Sequence, residues 1–203
     1  AYEPILMVDG PEIQAYYSEL FGTALPPPRI LWGKGPSYNA RTDRISLRLT
    51  PNKPYKDGKS FGDEESRTEV ICHEEAHRYH FHANPHLMAR HSNGGGHETF
   101  SEFAVKSTYA EGVATAAQVK TLEELGFTEL SQFYREKSKR HHPPYGPDNL
   151  STGYVARHLL EQDNTRFRDF VQADVYDAMA SASKAWRDLK NTEIHVYMSG
   201  PYI

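Results

Sequence analysis

The sequence has little of several features that commonly decide a protein's class. It contains one cysteine, Cys72, in 203 residues, which excludes an internal disulfide and a zinc site built only from cysteines. It has no apolar run near the roughly 18 residues that a membrane-spanning helix needs, so we expect no membrane partner. Its net charge of −4 lacks the basic excess of nucleic-acid-binding domains, so we expect no nucleic-acid partner either.

The compartment is not indicated by the N-terminal residues. No signal peptide is recognisable there, and the first residue is Ala1 rather than Met. Because signal cleavage and removal of Met would both leave such an N-terminus, secretion and a cytoplasmic location both fit the sequence.

What the chain does have is helical patterning that follows a short stretch of strands. Residues 44–49 alternate apolar and polar side chains, which predicts a strand with one wet face, and residues 29–33 predict another. The stretch between them, with its Gly and Pro residues, has turn chemistry. Predicted helices span residues 10–22, 63–82, about 99–125, 128–138, 151–162 and one or two segments within 165–190. We therefore expect a mainly helical α+β fold, with one domain over residues 1–203.

The clearest functional pattern is His-Glu-Glu-Ala-His at residues 73–77. Positions i and i+4 lie on one face of a helix, so the imidazoles of His73 and His77 can share one Zn²⁺ ion. Glu74 projects beside such a metal, where it can take a proton from zinc-bound water and pass it to a leaving amine. The pattern therefore predicts a catalytic zinc site.

A catalytic zinc needs a third protein ligand and an open position for water. The form with a nearby third histidine fails, because His80 and Ala83 stand where a Gly and a His are required. Three glutamates further on are candidates, namely Glu98, Glu102 and Glu111. Glu111 is favoured, because the small residues around it allow its helix to press against the helix that carries the histidines.

Neighbouring residues have weaker assignments. His80 and His82 are expected at the surface or in contact with the metal ligands. Thr115, one turn after Glu111, either hydrogen-bonds a zinc histidine or bonds back to its own helix. Gly112 costs roughly 1 kcal/mol in a helix interior relative to Ala, which indicates close approach of another element.

His-Glu-Glu-Ala-His followed by Glu-Gly-Val-Ala-Thr at 111–115 resembles the gluzincin metallopeptidases, which include thermolysin and the aminopeptidase-N-like enzymes. The resemblance covers about residues 63–117. It implies a zincin-like, two-lobed catalytic domain, with a small N-terminal sheet in an upper lobe of about 1–84 and a helical lower lobe of about 85–203. It also implies a zinc-dependent peptidase, with peptide or protein substrates that pair with an edge strand, here 44–49.

One departure from the aminopeptidase-N-like pattern concerns the residue that stabilises the oxyanion. Those enzymes place a tyrosine where this chain has Leu150. Tyr145 and Tyr154 lie nearby in the sequence and are the candidates for that role. The motif that recognises a free amine in aminopeptidases is also missing, so we expect an endopeptidase.

Other functions remain open on the sequence alone. The chain could be a zinc-binding but inactive zincin scaffold with an interaction role, although intact Glu74 argues against it. It could be a helical interaction protein with a chance His-Glu-x-x-His match. It could also be a latent peptidase whose tail, residues 192–203, lies in the cleft.

Overall fold

The computed structural model of the chain describes residues 10–33, 35–48, 63–87, 100–140, 152–175 and 177–178. It confirms a mainly helical α+β fold with a small sheet. The elements in chain order are α1 (Gly10–Phe21), β1 (Arg29–Gly33), β2 (Ser37–Asn39), β3 (Arg44–Arg48), α2 (Asp63–Ala83), a 3₁₀ turn (Pro85–Leu87), α3 (Phe100–Glu124), α4 (Thr128–Arg140), α5 (Thr152–Leu160) and α6 (Asn164–Gln172). None of the helices in these ranges is both long enough and apolar enough to cross a membrane.

The sheet has the order β1-β3-β2, so β3 is its central strand. β3 pairs in parallel with β1 and antiparallel with β2. The prediction that residues 44–49 form an edge strand for substrate is therefore wrong, since β1 pairs with all of β3 and β2 pairs with residues 44–46 on its other side. β2 falls in the stretch predicted to be a turn. A strand of three residues carries too short an alternation to show in the sequence.

The sheet packs on α2 through its own small apolar cluster. Ile30, Ile45 and Leu47 of the sheet meet Ile71 of α2, and all four are buried. This contact fixes the sheet beside the helix that carries the histidine motif.

The main core lies among the helices and draws residues from all six of them. Aromatic side chains of α1 and α2 form its centre, with Tyr17 against Phe21 and Tyr79 at ring-centroid distances of 5.5 Å. The Tyr17 hydroxyl donates to the backbone oxygen of Cys72 at 2.6 Å. These contacts hold α2 in place immediately before His73.

α3 is clamped between α2 and α5. Gly112 of α3 faces α5, where an added Cβ would lie 2.5 Å from Val155 Cβ and 3.0 Å from the backbone oxygen of Thr152. The predicted close approach at Gly112 is confirmed, but the approaching element is α5 rather than α2. α3 ends at Glu124, and Gly126 follows with a φ of +84°, a conformation that glycine commonly adopts just after a helix.

Several predictions lie outside the described residues. They concern Glu98, Tyr145 and the tail at 192–203.

Candidate metal centre

The helix α2 presents two histidines on one face. His73 and His77 are one turn apart, and their rings lie 4.8 Å apart at an interplanar angle of 85°. Both Nε2 atoms face the carboxylate of Glu111 on α3. The i, i+4 spacing therefore places both imidazoles on one face of α2, as predicted.

The carboxylate of Glu111 on α3 lies opposite this pair. Its Oε2 is 3.1 Å from His73 Nε2, and its Oε1 is 3.3 Å from His77 Nε2. One ligand atom from each of the three residues lies within 4.8 Å of the other two. Tetrahedral Zn²⁺ with bonds near 2.0–2.1 Å separates its ligand atoms by about 3.3 Å. The three side chains thus form an arrangement that could hold a metal ion.

The ring of His73 lies between two hydrogen-bond acceptors. Its Nδ1 is 3.2 Å from the amide oxygen of Gln118, while its Nε2 faces the Glu111 carboxylate. Both neighbours are acceptors, yet a neutral imidazole carries only one proton. The second contact is favourable only if a proton or a metal ion lies between Nε2 and the carboxylate. Two imidazoles and one carboxylate are a donor set of catalytic zinc sites.

Electrostatics point the same way. Burial alone would lower the pKa of His73, but the hydrogen bond and charge of Glu111 outweigh it and raise that pKa. Burial alone would raise the pKa of Glu111, but its hydrogen bonds with His73 and His77 hold that pKa well below its usual range. The site therefore favours a positive charge at His73 beside the negative charge of Glu111.

Glu74 lies beside the three candidate ligands in a desolvated position. It is 7% exposed, and burial raises its pKa, while the neighbouring histidines oppose that rise. The backbone of Tyr38 in β2 also lowers this pKa, by the smallest of these effects. A carboxyl with a raised pKa next to a metal site is suited to proton transfer.

A network behind the motif fixes β2 and β3 to α2. Arg78 is 1% exposed and donates to both carboxylate oxygens of Asp43, at 2.8 and 3.0 Å. Asp43 has a φ of +46° in the β2–β3 turn and accepts from the Tyr38 hydroxyl at 3.1 Å. Arg78 also lies 3.5 Å from buried Glu75. The hairpin that contacts Glu74 is therefore anchored to the same helix.

The hydrogen-bond partner of His73 was not predicted. Thr115 donates to the backbone oxygen of Glu111 at 2.8 Å, so it bonds back to its own helix. The partner is Gln118, whose amide nitrogen donates to the backbone oxygen of Glu69 at 3.1 Å and to its carboxylate at 2.6 Å. Gln118 follows Glu111 by two helical turns, a spacing that places both on one face and could have identified it.

The two other histidines of α2 differ from each other. His82 is exposed, as expected for a surface residue, and lies 3.7 Å from Asp43. His80 is 1% exposed and packs against the rings of Phe21 and Tyr109, so its expected surface position is wrong. Burial, with a smaller contribution from His77, lowers the pKa of His80 to about 3.

Tyr154, one of the two tyrosines predicted to act on the oxyanion, is half-buried on α5. That helix meets α3 at Gly112, the residue after Glu111. Its role stays a prediction.

Comparison with protein families, curated proteins and solved structures found no match for the chain. The gluzincin resemblance therefore depends on the motif residues alone.

Proposed function

We propose that the protein is a zinc-dependent peptidase of the gluzincin type, with His73, His77 and Glu111 as the metal ligands. The observation that carries the proposal is the position of His73 between two acceptors, with Glu111 facing both histidines. This arrangement needs a cation, and the donor set suits Zn²⁺. The proposed enzyme has the two-lobed organisation of zincins.

A zinc ion bound there would polarise a peptide carbonyl and acidify a water molecule. Glu74 accepts the proton of the attacking water and delivers it to the leaving amine. Its burial favours this exchange, because a raised pKa brings a carboxyl closer to working pH.

We expect an extended peptide to pair with β2. This strand is at the edge of the sheet, and the sheet packs on the helix that carries His73 and His77. Edge strands bind extended peptides through main-chain hydrogen bonds. We therefore move the proposed substrate strand from 44–49 to Ser37–Asn39, and we expect cleavage within peptides, as by an endopeptidase.

The test is digestion of a peptide library by the zinc-loaded protein, with products identified by mass spectrometry. Glu74→Gln should retain zinc and lose roughly 10²- to 10⁴-fold in kcat, because positioned acid–base catalysis contributes that much. Glu75→Gln is the matched control, since Glu75 lies on the same helix but pairs with Arg78.

Two outcomes would refute the proposal. If Glu74→Gln cleaves at the wild-type rate, the assigned base is wrong. If the wild type carries zinc and cleaves no peptide, the protein is an inactive or latent scaffold.

A further inference from the structure

We propose that Gln118 and Glu69 are positioning residues that set the tautomer and orientation of His73 for metal binding. The inference rests on the proposed zinc site and adds to it a buried hydrogen-bonded chain from Glu69 through Gln118 to His73. Neither residue is a metal ligand. They act through the ring of His73.

The orientation of the Gln118 amide follows from its neighbours. Its nitrogen lies 3.1 Å from the backbone oxygen of Glu69 and 2.6 Å from the carboxylate of the same residue. Both atoms accept hydrogen bonds, so the amide must direct its NH₂ group toward them. Its oxygen then faces His73 Nδ1 at 3.2 Å.

This orientation decides which nitrogen of His73 carries the proton. An amide oxygen can only accept, so Nδ1 of His73 must be protonated. In the neutral ring Nε2 then has its lone pair free, and Nε2 is the atom that faces Glu111. The chain therefore selects the tautomer that a metal at this site requires.

Burial strengthens the selection. Gln118 is 2% exposed and Glu69 is 7% exposed, so water competes little for their hydrogen bonds. Two bonds to Glu69 fix the amide plane, which leaves Gln118 without the rotation that would offer NH₂ to His73.

The two histidines are not equivalent in this respect. His77 Nδ1 is buried and has no hydrogen-bond partner within the part of the chain that the structure describes. His73 is therefore the ligand that the described residues orient in advance. Loss of Gln118 should act on the metal through His73.

The first measurement is zinc affinity, by competition with a chromophoric chelator at constant pH. Gln118→Leu should bind zinc about 10- to 100-fold more weakly, the usual effect of removing such a partner. Thr115→Val is the control, because the Thr115 hydroxyl donates to its own helix, and its affinity should equal that of the wild type.

A second pair of variants, which exchanges the amide at 118 with the carboxylate at 69, tests the same role if Gln118→Leu fails to fold. Gln118→Glu alone places a second carboxylate against Glu69, so zinc affinity should fall. Adding Glu69→Gln replaces the repulsion between the two carboxylates by a hydrogen bond, because the new amide donates to the carboxylate at 118, which accepts from His73. The double variant should recover part of the lost affinity but not all of it, since the carboxylate at 118 still faces the backbone oxygen of residue 69.

The second measurement is the nitrogen NMR spectrum of the histidine rings in the zinc-loaded protein. His73 should show a protonated Nδ1 that exchanges slowly with water, and this proton should exchange faster in Gln118→Leu. A merely structural role for Gln118 would not change the exchange of one ring proton selectively.

The outcomes separate this inference from the proposed activity. Suppose that Gln118→Leu and Gln118→Glu bind zinc more weakly, that Glu69→Gln restores part of the loss, and that the wild type cleaves no peptide. This result would support the positioning role and refute the peptidase. Unchanged affinity in Gln118→Leu, a double variant as weak as Gln118→Glu alone, or a wild type that takes up no zinc would each overturn the inference.

Discussion

Replacing His80 by phenylalanine should make the fold less sensitive to acid. His80 is 1% exposed, lies between the rings of Phe21 and Tyr109, and neither of its ring nitrogens has a hydrogen-bond partner among the described residues. The folded protein therefore holds this imidazole neutral. Burial, with His77 second, lowers its pKa to about 3, while the unfolded chain has a pKa near 6.5.

The sign and size of the effect follow from this difference. Because the folded-state pKa is lower, the unfolded state binds more protons, and stability falls as the pH drops from about 6.5 toward about 3. The slope approaches about 1.4 kcal/mol per pH unit. Between pH 7.5 and pH 5, wild-type protein should lose about 2 kcal/mol more than His80→Phe.

The assay is urea unfolding of the metal-free protein at several pH values, comparing each variant with the wild type. Titration of the candidate metal ligands is common to both proteins and cancels in the difference. A packing change shifts stability by a similar amount at every pH, whereas the titration of His80 changes the slope. His82→Gln, at an exposed position on the same helix, should follow the wild-type curve. Parallel curves for wild type and His80→Phe would refute the reasoning.

Three further predictions concern the supports of the site. Gly112→Ala should destabilise the protein by about 1–3 kcal/mol despite better helix propensity, because the new methyl overlaps Val155, and urea unfolding will measure the loss. Arg78→Met should cost about 1–3 kcal/mol in the same assay, because it removes the buried guanidinium that donates to Asp43 and to the backbone oxygen of Pro26. Tyr154→Phe should reduce kcat by about 10²-fold with unchanged zinc content, if its hydroxyl stabilises the oxyanion.

Each has a contrary result, and the first has a control variant. Gly35→Ala, where an added methyl meets nothing within 4 Å, should be nearly neutral, and equal effects at Gly35 and Gly112 would contradict the packing argument. Wild-type stability for Arg78→Met would show that these hydrogen bonds do not stabilise the fold. Full activity in Tyr154→Phe would remove Tyr154 from the mechanism.

The three candidate metal ligands could be found largely from local sequence. The positions of His73 and His77 follow from helix periodicity alone, and the small residues around Glu111 identified a helix able to approach closely. Both signals depend on residues a few positions apart. The structure brings all three side chains together, as expected.

The errors have a common physical origin in contacts between distant residues. β3 becomes central because β1 pairs with it in parallel, and no local pattern reports a parallel partner. His80 is polar, but aromatic rings from α1 and α3 enclose it. Gln118 contacts His73 across two helices, so its role appears only after α2 and α3 are packed together.

The most direct test of the zinc site is X-ray absorption at the zinc edge on the wild-type protein loaded with one equivalent of metal. We predict that the zinc ion has four nitrogen and oxygen ligands at about 2.0–2.1 Å, with the scattering signature of two imidazoles. A sulfur atom at about 2.3 Å, which would implicate Cys72, or a shell with no imidazole would contradict the assignment of His73, His77 and Glu111.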